Sequence, residues 1–282
     1  MTDIVYLNGE LLAKKDAKIS VLDRGFLFAD GIYEVIPVYN SSPFRLKQHL
    51  DRLAYCLEQL GIINPHSDIE WKNIIRTLIE RNGGGHLSIY LQVTRGVSND
   101  RNQLIDEIMT PTVMLLASPL LVSEESIETA TATLLADIRW QHCDIKSIAL
   151  LGNIMLRNKA QQLGCDEAIL HRDNVITEGS TSNVFMVKFR EVYTPKQNQL
   201  ILGGITRDVI IELAETSGLK VHQQNITVDD LLSADEVWIS SSSREISPIT
   251  QIDGKIIGSG QVGPVANALH REFQAFKKTL IN

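Results

Sequence analysis

Lys146 and the run Glu178-Gly179-Ser180-Thr181-Ser182-Asn183 are the residues of this 282-residue chain whose types and spacing point most directly to chemistry. The lysine offers a primary amine, which in its neutral form attacks an aldehyde to give a Schiff base. The glutamate offers an anion for a ring nitrogen, and the residues after it offer small hydroxyl and amide donors. Pyridoxal phosphate needs an amine for its aldehyde, an anion for its pyridine nitrogen and donors for its phosphate. Each piece also has an ordinary reading. A lone loop lysine is usually a solvated charge, a Glu-Gly-Ser-Thr-Ser run composes a common turn, and Glu178 alone reads as an exposed loop acid.

Other segments supply phosphate donors. Gly203-Gly204-Ile205-Thr206 opens a helical pattern, so backbone N–H groups, the Thr206 hydroxyl and the helix dipole could hold an anion. The alternative is a glycine turn with Thr206 as the N-cap. Arg52 sits beside a leucine stripe and either reaches inward as a phosphate cation or lies exposed on its helix. Ser242, ending a hydrophobic strand, is a further candidate hydroxyl. Gly258-Ser259-Gly260-Gln261-Val262-Gly263 matches the dinucleotide-binding glycine pattern. The 19 residues after Gly263 are too few for the helix, return strand and ribose-binding acid of such a unit, so that reading is rejected. No pair of histidines has metal-ligand spacing on a helix, and no metal is expected. A serine-hydrolase elbow is missing as well.

Composition narrows the class. A net charge of −7 argues against a nucleic-acid partner, which wants a basic face, so an anionic ligand must be held by local donors. No segment approaches the ~20 apolar residues of a membrane span, and the first residues lack the pattern of a secretory leader. Three widely spaced cysteines read as reduced thiols, so a soluble cytoplasmic protein is expected.

The positioning elements follow from local patterns. Asn8-Gly9 predicts a hairpin, and Ile32–Tyr39 a strand in which Pro37 favours an edge. Leucines from Leu46 to Leu60 predict a helix stopped at Gly61, and Ser67-x-x-Glu70 a capping box before a second helix. Leu87–Thr94 and Val113–Ala117 read as strands. The length favours two domains: an α+β domain over 1–118, a linker over 119–128, and an α/β domain over 129–282 that carries Lys146. In the second, Ser147 is placed to cap a helix running toward Gly164. Strands are expected at Ala130–Leu135, Glu167–Leu170, Val175–Thr177, Asn183–Val187 and Val237–Ser240. A helix follows Gly204, a hairpin turns at Asp253-Gly254, and a last helix follows Pro264.

Assembled, the chain resembles the class IV, branched-chain-type pyridoxal-phosphate aminotransferases almost end to end. The resemblance is carried by Asp23-Arg24-Gly25, Asp30-Gly31-Ile32-Tyr33-Glu34, Asp137-Ile138-Arg139-Trp140, Cys143-Asp144-Ile145-Lys146-Ser147, Gly164 to Leu170, Glu178 to Phe185, and Gly204-Ile205-Thr206-Arg207. It is greatest toward those relatives that act on D-amino acids. The resemblance implies a two-domain α/β subunit of fold type IV, a homodimer, and an active site between the domains. Lys146 would carry the cofactor as a Schiff base and shuttle the α-proton, and Glu178 would contact the pyridine nitrogen. Arg52, Ile205, Thr206 and Ser242 would hold the phosphate, while Ser180, Thr181 and Leu202 would line the cofactor. Tyr33 would help bind the substrate carboxylate.

One loop departs from the pattern. D-amino acid transaminases of this family place an Arg and a His two residues apart after Thr94-Arg95-Gly96, to trap the α-carboxylate. Here Arg101 fills the first role, but Gln103 stands in the second, and its uncharged amide makes a weaker contact. The expected activity is transamination between a small D-amino acid and a 2-oxo acid. The alternatives are aminodeoxychorismate lyase, a branched-chain L-amino acid aminotransferase, and a non-catalytic protein that binds the cofactor.

Overall fold

The computed structural model describes residues 3–105, 108–121 and 127–279. Contacts divide them into two units. One contains the described residues up to 121 together with Ile145–Ala149; the other contains 127–144 and Leu150–Thr279.

The first unit is built on a mixed-order antiparallel sheet. Strands β1 (Ile4–Leu7) and β2 (Glu10–Ala13) close through Asn8 and Gly9, both at positive φ, as a type I′ turn requires. With β3 (Gly31–Tyr39), β4 (Ser42–Pro43), β5 (Leu87–Thr94) and β6 (Thr112–Pro119) the order is β2-β1-β6-β5-β3-β4. Because β4 pairs only with Val38 and Tyr39, most of β3 has a ladder on one side alone, where Pro37 is tolerated. The short helix α1 (Arg24–Phe28) precedes β3. Helices α2 (Leu46–Gln59) and α3 (Asp68–Arg81) lay Leu50, Leu53, Leu57, Trp71, Ile75 and Leu78 against Ile32, Ile36, Ile89 and Leu91, forming this unit's core. The Ser67–Glu70 capping box opens α3 as expected.

The strap Ile145–Ala149 uses the open side of β3. Tyr33 N donates to the Lys146 carbonyl at 3.0 Å, Ile148 N donates to the Gly31 carbonyl at 3.0 Å, and Ile32 bridges Ser147. Ile145 enters the core between them. Two expectations are thereby corrected. Lys146 groups with the first unit, not with the domain beginning at 129, because unpaired edge groups and a buried isoleucine hold it there. Ser147 is not a helix cap: the helix α4 (Leu151–Gln162) starts four residues later, with Leu150 at its N-cap and no side-chain cap. The expected linker 119–128 lies partly outside the described residues.

The second unit places β7 (Ala130–Ala136), β8 (Glu167–Arg172), β9 (Val175–Gly179), β10 (Asn183–Lys188), β11 (Glu191–Thr194), β12 (Val221–Gln223), β13 (Glu236–Ser241) and β14 (Glu245–Ile252) in the order β12-β11-β10-β13-β14-β7-β8-β9. The short β15 (Lys255–Ile256) pairs with β14. The pairs β7–β8, β7–β14 and β11–β12 are parallel and the others antiparallel. Helices α5 (Ile205–Thr216), α6 (Val228–Leu232) and α7 (Pro264–Thr279) complete it. Gly204 is the N-cap of α5, so Thr206 is already helical and does not cap. The elements β11, β12, α1 and α6 are three to five residues long, below what a repeating pattern can announce.

Two glycines separate backbone strain from crowding. Gly9 has φ +98° with nothing near an added Cβ, whereas Gly96 has φ +108° and its Cβ would fall 2.0 Å from the Thr110 carbonyl oxygen. Gly9→Ala is therefore expected to destabilise the fold by about 1–2 kcal/mol. Gly96→Ala should exceed it by about 1–3 kcal/mol, the scale of overpacking. Urea midpoints at constant slope measure both, and equal losses would contradict the crowding argument.

Candidate active site

In the first unit Lys146 is fixed by its backbone. Its carbonyl pairs with Tyr33, and its N–H donates to Cys56 Sγ at 3.3 Å. Its Nζ lies 4.0 Å from the centroid of the Tyr33 ring, which itself stacks on Tyr90 at 5.7 Å. The expected pair of Lys146 and Tyr33 is thus brought together. Beside Tyr33 on β3, Glu34 points into the core between Ile32 and Ile36 and is nearly inaccessible. Arg52 grips it with two bonds of 2.7 Å from Nε and Nη2, and His49 Nδ1 lies 2.7 Å from it. Burial opposes the Glu34 charge, yet Arg52 and His49 hold its carboxyl well below the usual carboxylate range. Burial also works against the Arg52 cation, and Glu34 outweighs it. Arg52 therefore reaches inward, as one of its two readings requires, and its orientation is set by Glu34.

The second unit holds Glu178 on β9, almost fully buried. Arg139 Nη1 donates to its Oε1 at 2.5 Å, while Leu202 N and Asn183 Nδ2 donate to Oε2 at 3.0 and 3.3 Å. Burial pushes the Glu178 carboxyl above its ordinary value, with Arg139 pulling the other way. A cationic ring nitrogen is the partner such a desolvated carboxylate favours. Asn183 Nδ2 also donates to the Leu202 carbonyl at 2.9 Å, and a Cβ on Gly204 would lie 2.0 Å from Asn183 Oδ1. Glu178, Leu202 and the start of α5 are thereby one framework. No side chain caps α5, so the N–H groups of Ile205 and Thr206 stand at a helix start suited to a phosphate.

The remaining candidates are less uniform. Ser242 is half-buried in the turn after β13, and Thr181 is exposed between β9 and β10. Ser180 differs from expectation. It is fully buried, its Oγ donates to Glu167, and its carbonyl accepts from Asn153 Nδ2 at 2.7 Å. The buried Glu167 carboxylate takes the hydroxyls of Ser180 and Ser182, so the Ser180 hydroxyl braces the turn beneath Thr181. Arg101 and Gln103 are exposed on the loop after β5, and the Arg101 guanidinium lies 5.2 Å from the Phe28 ring centroid.

Residues 31–252 match the class IV amino-transferase family, and the chain belongs to it. Among its relatives, a D-alanine aminotransferase of Listeria monocytogenes is 42% identical over 272 residues, covering 95% of this chain and 94% of the relative. One from Bacillus licheniformis is 39% identical over 271 residues, covering 96% and 95%. The fold is shared with solved branched-chain aminotransferases. That of Thermoproteus uzoniensis superposes with a TM-score of 0.89 at 25% identity, over 99% of this chain and 95% of the other. An Escherichia coli structure gives 0.87 at 26%, over 97% and 93%. The protein is accordingly a pyridoxal-phosphate-dependent aminotransferase of fold type IV. The residues present suit that cofactor: an amine on a rigid strap, a desolvated carboxylate, and an uncapped helix start.

Arg139 and Asp137 were absent from the sequence candidates, although Asp137-x-Arg139 stood in the resemblance. The Asp137 side chain is fully buried and accepts from Arg139 Nε and Nη2, both at 2.9 Å, with Arg172 Nε at 3.2 Å. Burial opposes its charge, but Arg139 holds its carboxyl down at about 2. The sign follows: this stabilisation is complete above the ordinary carboxylate pKa and is lost as pH falls from there through about 2. Asp137→Asn is expected to lose about 1–3 kcal/mol at pH 7, because it weakens the charge-assisted hydrogen bonds from Arg139 while Glu178 still pairs that arginine. The gap between the melting curves of the two proteins should narrow as the pH is lowered through that window; a gap that does not narrow would contradict the assignment.

Proposed function

We propose that this aminotransferase moves the amino group of small D-amino acids, such as D-alanine, onto 2-oxo acids such as 2-oxoglutarate. The observation that carries the reading is 42% identity to a D-alanine aminotransferase along nearly the whole of both chains, against about 25% to the branched-chain enzymes of the same fold. When bound, the cofactor withdraws electrons from the substrate α-carbon so that its proton can leave. Lys146 would hold the cofactor through its amine and carry the α-proton, with the Tyr33 ring against its Nζ. Glu178 would face the ring nitrogen and favour its charged form. Ile205 and Thr206 at the start of α5, Ser242, and Arg52 in the orientation that Glu34 imposes would be the partners of the phosphate. Leu202 and Thr181 border the ring. Arg101 receives the substrate carboxylate, with Gln103 and Tyr33 beside it.

The same reading makes the protein a homodimer of the cytoplasm, where Cys56, Cys143 and Cys165 remain thiols. Adding D-alanine to the cofactor-loaded protein is expected to convert its visible absorbance to that of the aminated cofactor, while L-alanine leaves it unchanged. Lys146→Ala should lower turnover at least about 100-fold, the smaller end of what a positioned acid–base group contributes. Conversion by L-alanine alone, or by neither enantiomer, would overturn the D-specific reading.

A further inference from the structure

Arg24 is buried, with 4% of its side chain exposed, and no step above uses it. Its Nε donates to Asp30 Oδ2 at 2.8 Å, which compensates its charge. The other two arms of the guanidinium turn away from that pair. Nη1 donates to the Asn102 carbonyl at 2.6 Å and Nη2 to the Gln103 carbonyl at 3.2 Å. These are the two residues that directly follow Arg101. A planar fork with five N–H donors can hold one carboxylate and two successive carbonyls together; an ammonium cannot match that geometry.

Side-chain stacking adds a second contact. The Phe28 ring has the Arg24 guanidinium 4.9 Å from its centroid and that of Arg101 at 5.2 Å. Two cations on one ring repel, and the carboxylate of Asp30, which Arg24 shares with Arg95, offsets part of that repulsion. Backbone bonds bring the rest of the loop to the same place: Arg24 N donates to the Gly96 carbonyl at 2.9 Å, and Ser98 N to the Leu22 carbonyl at 3.2 Å. Asp23, which caps α1 through Gly25 N at 2.8 Å, also accepts from Thr94 Oγ1 at 3.1 Å. With an uncharged amide at Gln103, the hold on a carboxylate rests on Arg101, and so on whatever aims Arg101.

We infer that Arg24, braced by Asp30, is the positioning residue of the carboxylate-recognition loop, setting the Asn102–Gln103 backbone and, through Phe28, the direction of Arg101. The inference rests on Arg101 being the substrate-carboxylate residue. It assigns Arg24 an influence on substrate affinity without contact with substrate.

Arg95 provides an internal control. It binds the same Asp30 at 2.8 and 3.1 Å, but its remaining side-chain bonds go to the carbonyls of Leu60 and Gly61 and not to those of Asn102 and Gln103. Steady-state kinetics with D-alanine would compare Arg24→Lys, Arg95→Lys, Arg101→Met and the double variant Arg24→Lys/Arg101→Met, with melting temperatures recorded for each. Arg24→Lys is expected to raise KM about tenfold with kcat falling less than about threefold, while Arg95→Lys leaves KM within about twofold. In the double variant KM should match Arg101→Met within about twofold, because the first change acts through the second residue. A parental KM in Arg24→Lys, or multiplied effects in the double variant, would overturn the positioning role. A parental KM in Arg101→Met would instead overturn the carboxylate assignment, and the inference with it. Should Arg24→Lys not fold, Phe28→Leu removes the shared ring without burying a charge. A raised KM then supports the arrangement and a parental KM overturns it.

Discussion

The role proposed for the Lys146 amine depends on a few backbone hydrogen bonds between the Ile145–Ala149 strap and the first residues of β3. A strand whose edge is open must satisfy its N–H and C=O groups somewhere. Here it does so with the segment that carries Lys146, so that residue inherits the rigidity of a sheet although it lies in no strand. The Ile145 side chain anchors one end in the core and Cys56 Sγ takes the Lys146 N–H. What remains free to move is the lysine side chain itself, alongside the Tyr33 ring. That is the arrangement a group needs if it must form a bond at one moment and carry a proton at another.

Around this frame the protein buries three carboxylates, each against two basic side chains. Asp30 has Arg24 and Arg95, Glu34 has Arg52 and His49, and Asp137 has Arg139 and Arg172. Such clusters add little net stability, since desolvation offsets most of the attraction. Their value is directional. An arginine held at one edge by a carboxylate can aim its other edge, and each cluster uses that freedom differently. Arg139 carries charge across to Glu178, Arg52 is turned inward from α2, and Arg24 grips a loop backbone. Glu178 is the contrast, since its own carboxyl is destabilised by burial and is thus poised for a cationic ligand.

How much of this was legible in the sequence varied with the distance over which the physics acts. Asn8-Gly9, Ser67-x-x-Glu70 and Asp253-Gly254 work through neighbours a few residues away, and each formed the turn or cap its chemistry foretold. Ser147 carried an equally good local signal for a cap, but pairing with β3 overrode it. The glycines of Asp23-Arg24-Gly25 and Asp30-Gly31 could be matched as a pattern without their reason being visible. A Cβ on Gly25 would meet Thr94 Cγ2 at 2.2 Å, and one on Gly31 the Val93 carbonyl oxygen at 2.6 Å. Ser180 was assigned by position, and only the fold reveals that Glu167, thirteen residues earlier, claims its hydroxyl. Long-range partners of this kind leave no periodic trace.

The mixed allegiance of the strap has a bearing on how such chains can be recombined. Lys146 is adjacent in sequence to the second unit but belongs by contact to the first, so the polypeptide passes from one unit to the other and back around it. A hybrid made by joining two family members at a single point after β6 would take its strap from one parent and its β3 from the other. The amine would then rest on a seam between sequences that never evolved together. Exchange of whole units within this family calls for a two-point graft that moves Ile145–Ala149 along with the first unit, a unit of inheritance that the linear order of the chain conceals.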